Sequence, residues 1–184
     1  MNTVSKYFVD KKSILLIVFI ISGCSLPKYN AEADKQLYIL HSDIDKQLTE
    51  WQSDAQIKNV KERPCVVTNS KLVVPKENSP VPQISLLSEG KSLSEKDLSF
   101  YKKIDSNIQT TETLMLTNTS EYDGWNVRVR FYSIKVILNE IKNKRNVCSP
   151  VFEYYQSQRG LISTLMSNLY MYSNTIKSVN GDSK

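Results

Sequence analysis

Apolar residues recur at helical spacing along most of the chain, and this pattern constrains the fold more than any other feature of the sequence. In the first such segment the intervals are three or four residues, with Asp, Lys, Gln and Glu between them. The stripe comprises Leu37, Leu40, Ile44, Leu48, Trp51 and Ala55. This spacing places the apolar side chains on one face of an α-helix. We therefore predict a long amphipathic helix that runs to Glu62 and is ended by Pro64.

A second helix is predicted after a serine that can cap it. Ser92 and Ser94 are each followed three residues later by an acidic residue, which is the arrangement of a capping box. The stripe that follows is weaker and consists of Leu98, Tyr101, Ile104 or Asp105, Ile108 and Met115. Residues 118 to 124 are rich in turn-forming residues and end in Asp123-Gly124, which predicts a break before the next element.

The third segment carries a mixed signal at its start. Its first apolar residues alternate with polar ones as they would in a strand; they are Trp125, Val127, Val129 and Phe131. Helical spacing fits the same segment and is the only pattern that fits its later part; the helical stripe is Val127, Phe131, Ile134, Leu138 and Ile141. We predict a helix from about residue 125 to 146, ended by Ser149-Pro150.

The last helix is predicted from about residue 151 to 178. Its apolar stripe comprises Tyr155, Ile162, Leu165, Leu169, Tyr172 and Ile176. Gly160 interrupts it, and glycine in a helix costs about 1 kcal/mol relative to alanine. We expect this glycine to mark either a kink or a close contact between helices.

Prolines separate the first two helices. Residues 64 to 93 contain Pro64, Pro75, Pro80 and Pro82, which exclude a continuous helix. Short β-prone stretches on either side of residues 68–71 are consistent with a small hairpin, and an irregular connection draped over the core is the alternative. The predicted fold class is all-α: an antiparallel bundle of about four helices, with this proline-containing connection between helices 1 and 2.

The N-terminal residues have the layout of a secretory signal. Lys6, Lys11 and Lys12 precede an unbroken apolar run from Ile14 to Ile21. A membrane-spanning helix needs about 20 apolar residues, so this run is too short to be one. We expect it to direct export.

The end of this signal, Ile21-Ser22-Gly23-Cys24, resembles the lipobox of bacterial lipoproteins. The resemblance implies that residues 1–23 are removed and that Cys24 carries a diacylglycerol and an N-acyl chain such as palmitate. Several acyl chains anchor a protein durably to a membrane. Ser25, in place of an aspartate, implies transfer to the outer membrane with the body in the periplasm. Residues 24–31 would form a lipidated tether and 32–180 a single helical domain; an ordinary signal peptide that contains a cysteine is the alternative.

Two cysteines remain in what we expect to be an oxidising compartment. Cys65 and Cys148 can form a disulfide that closes a loop of about 84 residues, which is worth about 4 to 5 kcal/mol by the loop-entropy argument. In an up-down-up-down bundle they follow helices 1 and 3, which end at the same end of the bundle. We therefore predict the disulfide Cys65–Cys148; two free buried thiols are the alternative.

The charge distribution gives no sign of a nucleic-acid partner. The chain has 24 basic and 19 acidic residues, for a formal net charge of +5. The densest basic cluster is Lys142, Lys144 and Arg145, at the end of the third predicted helix. Positive charge is favourable at a helix C-terminus, so we interpret this cluster as a solvated helix end.

Nothing in the sequence is typical of a catalytic or metal-binding site. His41 is the only histidine, with Asp45 as its sole local candidate partner, and we expect it to be a half-exposed structural residue. There is no Gly-x-Ser-x-Gly elbow, and the five glycines are not clustered. We therefore expect no enzyme activity, no catalytic residue, no metal site and no cofactor other than the lipid on Cys24.

Aromatic residues are the best candidates for a partner-binding surface. Tyrosine buries a large area while it keeps a polar tip in water. The candidates are Phe152, Tyr154, Tyr155 and Tyr172. The alternative is that they simply form the core and rim of the bundle.

In type, this chain is similar to the helical pilotins, which are small disulfide-bearing lipoproteins that carry secretin subunits to the outer membrane. The resemblance rests on the lipobox, the helical body, the expected disulfide and the aromatic candidates. It implies a non-enzymatic assembly or stabilising partner of an envelope secretion, pilus or conjugation machine, which binds a secretin or channel subunit. The alternative is a lipid-anchored immunity or exclusion protein that neutralises a toxin, phage or competing element. Such proteins usually carry a strongly charged face, whereas the charge here is spread along the chain.

Overall fold

Four helices make up most of the described structure. The computed structural model describes residues 28–57, 74–77, 79–86, 93–117, 119 and 121–180. The helices are α1 (Ala31–Ile57), α2 (Glu95–Leu116), α3 (Glu121–Val147) and α4 (Phe152–Val179). No strand occurs among these residues. The prediction of an all-α helical bundle is confirmed.

The helices pack as a ring: α1 contacts α2, α2 contacts α3, α3 contacts α4, and α4 contacts α1. Contacts join the end of one helix to the start of the next: Trp51 of α1 bonds Asp97 of α2, and Arg145 of α3 bonds Tyr155 of α4. The helices therefore run up-down-up-down. We call the end that holds these four residues the distal end, and the end that holds Ala31 the proximal end.

The predicted stripes form the core. The fully or nearly fully buried apolar residues include Leu37, Leu40, Ile44, Leu48 and Trp51 of α1, Tyr101, Ile104 and Ile108 of α2, Phe131, Ile134, Leu138 and Ile141 of α3, and Tyr155, Ile162, Met166 and Leu169 of α4. Leu98, Leu165, Tyr172 and Ile176 are only half-buried. Burial of one large apolar side chain contributes about 1.5 to 3 kcal/mol, so the aligned stripes hold the ring together.

A fully buried ion pair joins α2 and α3. Lys135 Nζ is 3.2 Å from Asp105 Oδ1, and both side chains are less than a tenth exposed. Sequence spacing leaves open whether Ile104 or Asp105 belongs to the core; in the structure both are buried. A buried carboxylate requires a partner of opposite charge, and the facing helix supplies it.

The caps of α1 and α2 follow from local chemistry. Asn30 Oδ1 accepts hydrogen bonds from the backbone N–H groups of Glu32 (3.1 Å) and Ala33 (3.2 Å), which no helical carbonyl could satisfy. Ser94 caps α2 by accepting from the backbone N–H of Asp97 at 3.1 Å. Ser94, one of the two predicted candidates, is thus the cap that the structure uses.

The predicted break at Asp123-Gly124 is wrong, because both residues lie in the first turn of α3. An aspartate is favourable in a first helical turn, where it faces the positive end of the helix dipole. The glycine allows close approach: a Cβ atom there would lie 3.2 Å from Thr119 Oγ1 and 3.4 Å from Leu116 Cδ2. The connection between α2 and α3 is therefore shorter than the turn-rich composition suggested.

The mixed pattern at the start of α3 has a structural explanation. The segment is helical, so the strand-like alternation does not form a strand. Val127 and Phe131 face the core, whereas Trp125, Val129, Tyr132 and Val136 recur at helical spacing on another side of α3. Val129 is buried and the other three are half-buried. Two apolar faces on one helix produce an alternation that mimics a strand.

Part of the connection between α1 and α2 lies along α3. Trp125 Nε1 donates to the backbone oxygen of Ser79 (3.0 Å) near the start of α3, and Lys142 Nζ donates to that of Leu86 (2.6 Å) near its end. Those two α3 residues are about 25 Å apart along the axis. We call residues 79–86 the strap. This agrees with a connection draped over the core, whereas the hairpin proposed around residues 68–71 lies outside the described residues, as do residues 58–62 of the predicted first helix.

Gly160 of α4 marks no close contact between helices, because a Cβ atom built there meets nothing within 4 Å. We expect Gly160→Ala to stabilise the protein by about 0.5 to 1 kcal/mol, since it lowers the entropy of the unfolded chain without a clash. Urea unfolding followed by circular dichroism measures the change.

Gly124→Ala is the matched control for this prediction. Its new methyl group would press on Thr119 and Leu116, so we expect no gain or a loss of stability. Equal stabilisation by both substitutions would contradict the packing described here.

Candidate functional site

The most concentrated group of polar and aromatic side chains lies at the distal end of the bundle. Each helix contributes one residue to its centre: Trp51 from α1, Asp97 from α2, Arg145 from α3 and Tyr155 from α4. We call these four residues the distal cluster. Trp51 and Tyr155 are almost fully buried, and Asp97 is 6% exposed.

Hydrogen bonds join all four residues of the distal cluster. Arg145 donates from Nη2 to Asp97 Oδ2 at 2.8 Å and from Nη1 to the Tyr155 hydroxyl at 2.9 Å. Trp51 Nε1 donates to the other oxygen of Asp97 at 2.9 Å. The guanidinium carbon of Arg145 also lies 4.2 Å from the centre of the Trp51 ring, which adds a cation–π contact. Both oxygens of the carboxylate are therefore engaged inside the bundle.

Local sequence explains how the charged members reach this position. Asp97 is in the first turn of α2, three residues after the cap Ser94. Arg145 is in the last turn of α3. Each charge sits at the helix end that its sign favours, and the antiparallel order of α2 and α3 brings these two ends together.

Burial and mutual charge set the ionisation of the cluster. Burial alone would lower the pKa of Arg145, but the Tyr155 hydroxyl and the Asp97 carboxylate together raise it, so the guanidinium stays charged. Burial raises the pKa of Tyr155, and Arg145 partly opposes that shift. The tyrosine is therefore a neutral hydrogen-bond acceptor for Arg145 at physiological pH.

An aromatic group extends the cluster into the core. The Trp51 ring meets Phe100 edge-on at 5.3 Å and lies 5.9 Å from Tyr101, centre to centre. Burial strongly raises the pKa of Tyr101 as well. Aromatic pairs of this kind contribute about 0.5 to 1.5 kcal/mol beyond the area they bury, so the distal end is held by packing as well as by charge.

The basic cluster at the end of α3 is not the solvated helix end that the sequence suggested. Lys142 is 2% exposed, with its ammonium group 5.6 Å from the centre of the Tyr101 ring. Lys144 is half-buried, pairs with Glu140 at 2.9 Å and lies over the Tyr154 ring at 4.3 Å. The interpretation failed because sequence spacing does not show that the strap and α4 cover this end of α3. Burial lowers the pKa of Lys142, and the carbonyl of Leu86 compensates for its lost hydration.

The four candidate partner-binding residues do not form one surface. Tyr154 is 5% and Tyr155 is 1% exposed, so both are core residues. Phe152 is half-buried at the start of α4. Tyr172 is half-buried about 30 Å farther along the helix. The alternative interpretation, core and rim, is the one that describes their positions, because the first turn of α4 faces Trp51 and Glu140 rather than solvent.

His41 is half-buried, as expected, and it packs against Tyr170 with ring centres 6.0 Å apart. Its local candidate partner, Asp45, is engaged by Arg159 of α4 at 2.8 Å. Among the described residues no group of three or more His, Cys, Asp or Glu side chains could hold a metal ion.

A shallow cleft of about 260 Å³ lies between α1 and α2. Two ion pairs cross it, Lys96–Glu50 and Lys103–Asp43, each with a separation of 2.8 Å. These pairs are partly or largely exposed, and such pairs contribute little to stability. The cleft is a seam between helices that charged side chains bridge.

Cys148 lies just after α3 and is disulfide-bonded. Its predicted partner Cys65 and the lipidation candidate Cys24 lie outside the described residues, so the Cys65–Cys148 pairing remains a prediction. The distal end of α1 is at the same end of the bundle as Cys148, as the topological argument required. However, α1 and α3 lie diagonally across the ring, and each packs against α2 and α4 instead.

The fold defines the class of this protein as an antiparallel four-helix bundle with a charged and aromatic cluster at one end. Searches of family profiles, curated proteins and solved structures give no match to the chain. None of the described helices is long and apolar enough to cross a membrane.

Sequence reasoning missed the distal cluster because its members are distant in the chain. The sequence by itself places Trp51 in the core, Asp97 in a helix cap and Arg145 on the surface. The second apolar stripe of α3, in contrast, was detectable: residues 125, 129, 132 and 136 follow helical spacing as well as the first stripe does.

The ion pair of the distal cluster predicts a large cost for its loss. Arg145→Met leaves the buried Asp97 carboxylate without its charged partner, and we expect about 3 kcal/mol of destabilisation. Chemical denaturation at pH 7 measures it. The double variant Arg145→Met with Asp97→Asn should be destabilised by less than the sum of the two single changes. Additive effects would show that the two residues are not coupled.

Tyr172 gives a prediction for alkaline pH. Burial raises its pKa to about 12, and its hydroxyl is buried without a hydrogen-bond partner among the described residues. The folded state thus favours the neutral phenol, and its stabilising contribution is lost as the pH rises from the unfolded-state pKa of about 10 through the folded value. We expect Tyr172→Phe to be as stable as wild type at pH 7 and to lose less stability between pH 7 and 11.

The control for Tyr172 is Tyr38→Phe, because the Tyr38 side chain is 68% exposed. Unfolding free energies at the two pH values should fall equally in this variant and in wild type. A similar fall in Tyr172→Phe would refute the assignment.

Proposed function

We propose that this protein is a lipoprotein anchored in the outer membrane that acts as a non-enzymatic assembly or stabilising partner of an envelope secretion, pilus or conjugation machine. The partner would be an envelope protein such as a secretin or channel subunit. The lipobox-like Ile21-Ser22-Gly23-Cys24 supports the lipid anchor. The contacts at the proximal end of the bundle support a short link between that anchor and the helices.

The observation that carries the proposal is the docking of the residues that follow Cys24. Tyr29 donates its hydroxyl hydrogen to Asp34 Oδ2 at 2.7 Å, and Lys177 of α4 lies 5.3 Å from the centre of the Tyr29 ring. Asn30 caps α1 and also donates to the backbone oxygen of Leu114 at 3.3 Å. The chain therefore joins the bundle at its proximal end directly after the expected anchor.

The short link would hold the bundle close to the lipid. α1 begins at Ala31, seven positions after Cys24, and seven residue steps span at most about 25 Å. An acylated Cys24 would thus keep the proximal end within that distance of the membrane surface. The distal cluster, about 30 Å from Ala31 along α1, would then point away from the lipid. A body held in this way is suited to contact a neighbouring envelope protein from the side.

The closed distal cluster supports a binding role over a catalytic one. Asp97, Arg145 and Tyr155 direct their polar groups at one another. A general acid or base must reach the proton that it transfers, whereas these groups are engaged between helices. We therefore interpret the distal cluster as a structural element that fixes the four helices relative to one another.

Two substitutions test the anchor. Cys24→Ser should abolish labelling with a palmitate analogue and move the protein from the membrane to the soluble fraction, since acyl chains supply the membrane affinity. Ser25→Asp should leave the protein acylated but shift it from the outer to the inner membrane in a sucrose gradient, whereas Ser25→Ala should not. A Cys24→Ser protein that remains in the outer membrane would refute a lipid anchor.

The partner is tested by crosslinking in cells followed by mass spectrometry of solubilised outer membranes. Recovery of a secretin or channel subunit, together with a loss of that subunit from the outer membrane when the gene is deleted, would support the assembly role. Recovery of only an exogenous toxin or phage component would favour an immunity or exclusion protein instead.

A further inference from the structure

The outer side of α4 carries no charge over most of its length. The structure describes all of α4, and its exposed residues between positions 156 and 178 are Ser, Thr, Asn, Gln and Gly together with two apolar residues. These two, Leu161 and Met171, are 50% and 60% exposed. Arg159 and Lys177, the charged residues of this stretch, are half-buried and are engaged by other side chains.

Six of these exposed residues recur at helical spacing on the side of α4 that faces away from the core. We call them the neutral face; they are Gln156, Gly160, Ser163, Ser167, Met171 and Asn174. The exposed residues of α1 and α2, in contrast, include many charges, such as Lys35, Lys46 and Asp54 on α1 and Glu95, Lys96 and Lys102 on α2. Charged residues are the usual cover of the outer side of a helix, and their depletion is typical of the core of an interface.

The absence of charge indicates which partner the neutral face fits. In a twofold pair with parallel helices, residues close to the axis meet their own counterparts in the other copy. Any charge on such a face would lie opposite a like charge, which is unfavourable. A face without charge avoids this repulsion, whereas recognition of a different protein ordinarily uses complementary charges, and the neutral face has none to offer. The occupant that the face fits best is therefore a second copy of this chain.

The middle of the neutral face allows two helices to approach closely. A Cβ atom built at Gly160 meets nothing within 4 Å, so the chain itself leaves the space beside this backbone open. The distance between packed helices depends on the size of the side chains at their contact, and the serines of the face are small. Met171, about 17 Å farther along the helix, supplies an apolar contact.

The size of the neutral face explains why pairing would need the membrane. The face is about 27 Å long and about 10 Å wide, which gives roughly 300 Å² per copy, whereas a stable interface between free proteins buries about 800 Å² per partner. Copies anchored through Cys24 in one leaflet would be held at high local concentration. Their proximal ends would all face the lipid, so α4 helices of neighbouring copies would run parallel.

We propose that two copies of this protein pair side by side in the membrane through the neutral face of α4, with the two α4 helices parallel. This inference rests on the proposed function for the lipid anchor. It is independent of which envelope protein the bundle assists.

The first test is cysteine crosslinking of the full-length protein in its own membranes with a short bismaleimide. Ser167→Cys and Gln156→Cys lie on the neutral face, and Ser106→Cys on α2 is the control, since Ser106 is also an exposed serine. We expect both α4 variants to give a covalent dimer and Ser106→Cys to give none; wild type, treated in the same way, is the blank.

Three results of this test would overturn the proposal. A dimer from Ser167→Cys without one from Gln156→Cys would indicate antiparallel pairing, which separates the two Gln156 residues. Equal dimer yields from Ser106→Cys and the α4 variants would indicate random collision. The absence of a dimer from both α4 variants, including the case in which an adduct to another protein forms instead, would show that a second copy does not occupy the face.

The second test uses charge, with Gln156→Cys present in every protein as the site of crosslinking. Ser167→Lys or Ser167→Asp, expressed alone, should lower the yield of dimer at least 5-fold because like charges then meet across the pair. Co-expression of the two variants with different tags should restore a mixed dimer, a result that misfolding cannot produce. Ser106→Lys should have no effect. Failure of the mixed dimer to form, or full dimer yields from the single variants, would contradict pairing through this face.

Labelling with a palmitate analogue in the same samples separates this inference from the proposed function. Acylated protein that forms no dimer would overturn the pairing and leave the lipid anchor standing. Protein that is neither acylated nor dimeric would overturn both, since the pairing depends on the anchor. Acylated protein that gives the two α4 crosslinks and the mixed dimer is the expected result.

Discussion

The ion pair between the half-buried Arg145 and the buried Asp97 is the interaction on which the arrangement of the distal ends of the four helices depends. Removing two charges from water is costly, and only good geometry with further hydrogen bonds compensates for it. Trp51 and Tyr155 supply those bonds from the two remaining helices. A change in the rotation or axial position of one helix would break at least one of these bonds, so the cluster favours a single register of the bundle.

The second constraint is the double apolar character of α3. A helix in a simple bundle buries one apolar stripe. On α3, Val129 is also buried and Trp125 is half-buried, and both lie on a second side of the helix. Residues 79–86 provide part of that cover, and their two ends are hydrogen-bonded by Trp125 and Lys142. Residues 79–86 are thus packed on the bundle rather than looped away from it.

The two ends of the bundle have different chemistry, which suits a protein held at one end. At the proximal end Tyr29 and Asn30 fasten the incoming chain to α1, α2 and α4. At the distal end the charged cluster and the disulfide-bonded Cys148 close the structure. In the arrangement we propose, a force applied by a partner would act on a bundle whose two ends are both fixed by these contacts.

The sequence by itself determined the four helices, their antiparallel order and most of the core, because stripes such as Leu37 to Trp51 depend only on helical spacing and on the exclusion of apolar surface from water. It also limited the cap of α2 to Ser92 or Ser94, because capping is a local interaction, and the structure uses Ser94. Tertiary structure decided the roles of Asp97, Arg145 and Lys142, since the burial of a charge depends on which distant residues cover it. It also decided that Asp123-Gly124 lies in the first turn of a helix, where a Cβ atom at position 124 would be in tight contact with Thr119, and that Tyr154 and Tyr155 are core residues. Local patterns specify which face of a helix is apolar. Only the packing of the whole chain specifies which polar groups are buried beside that face.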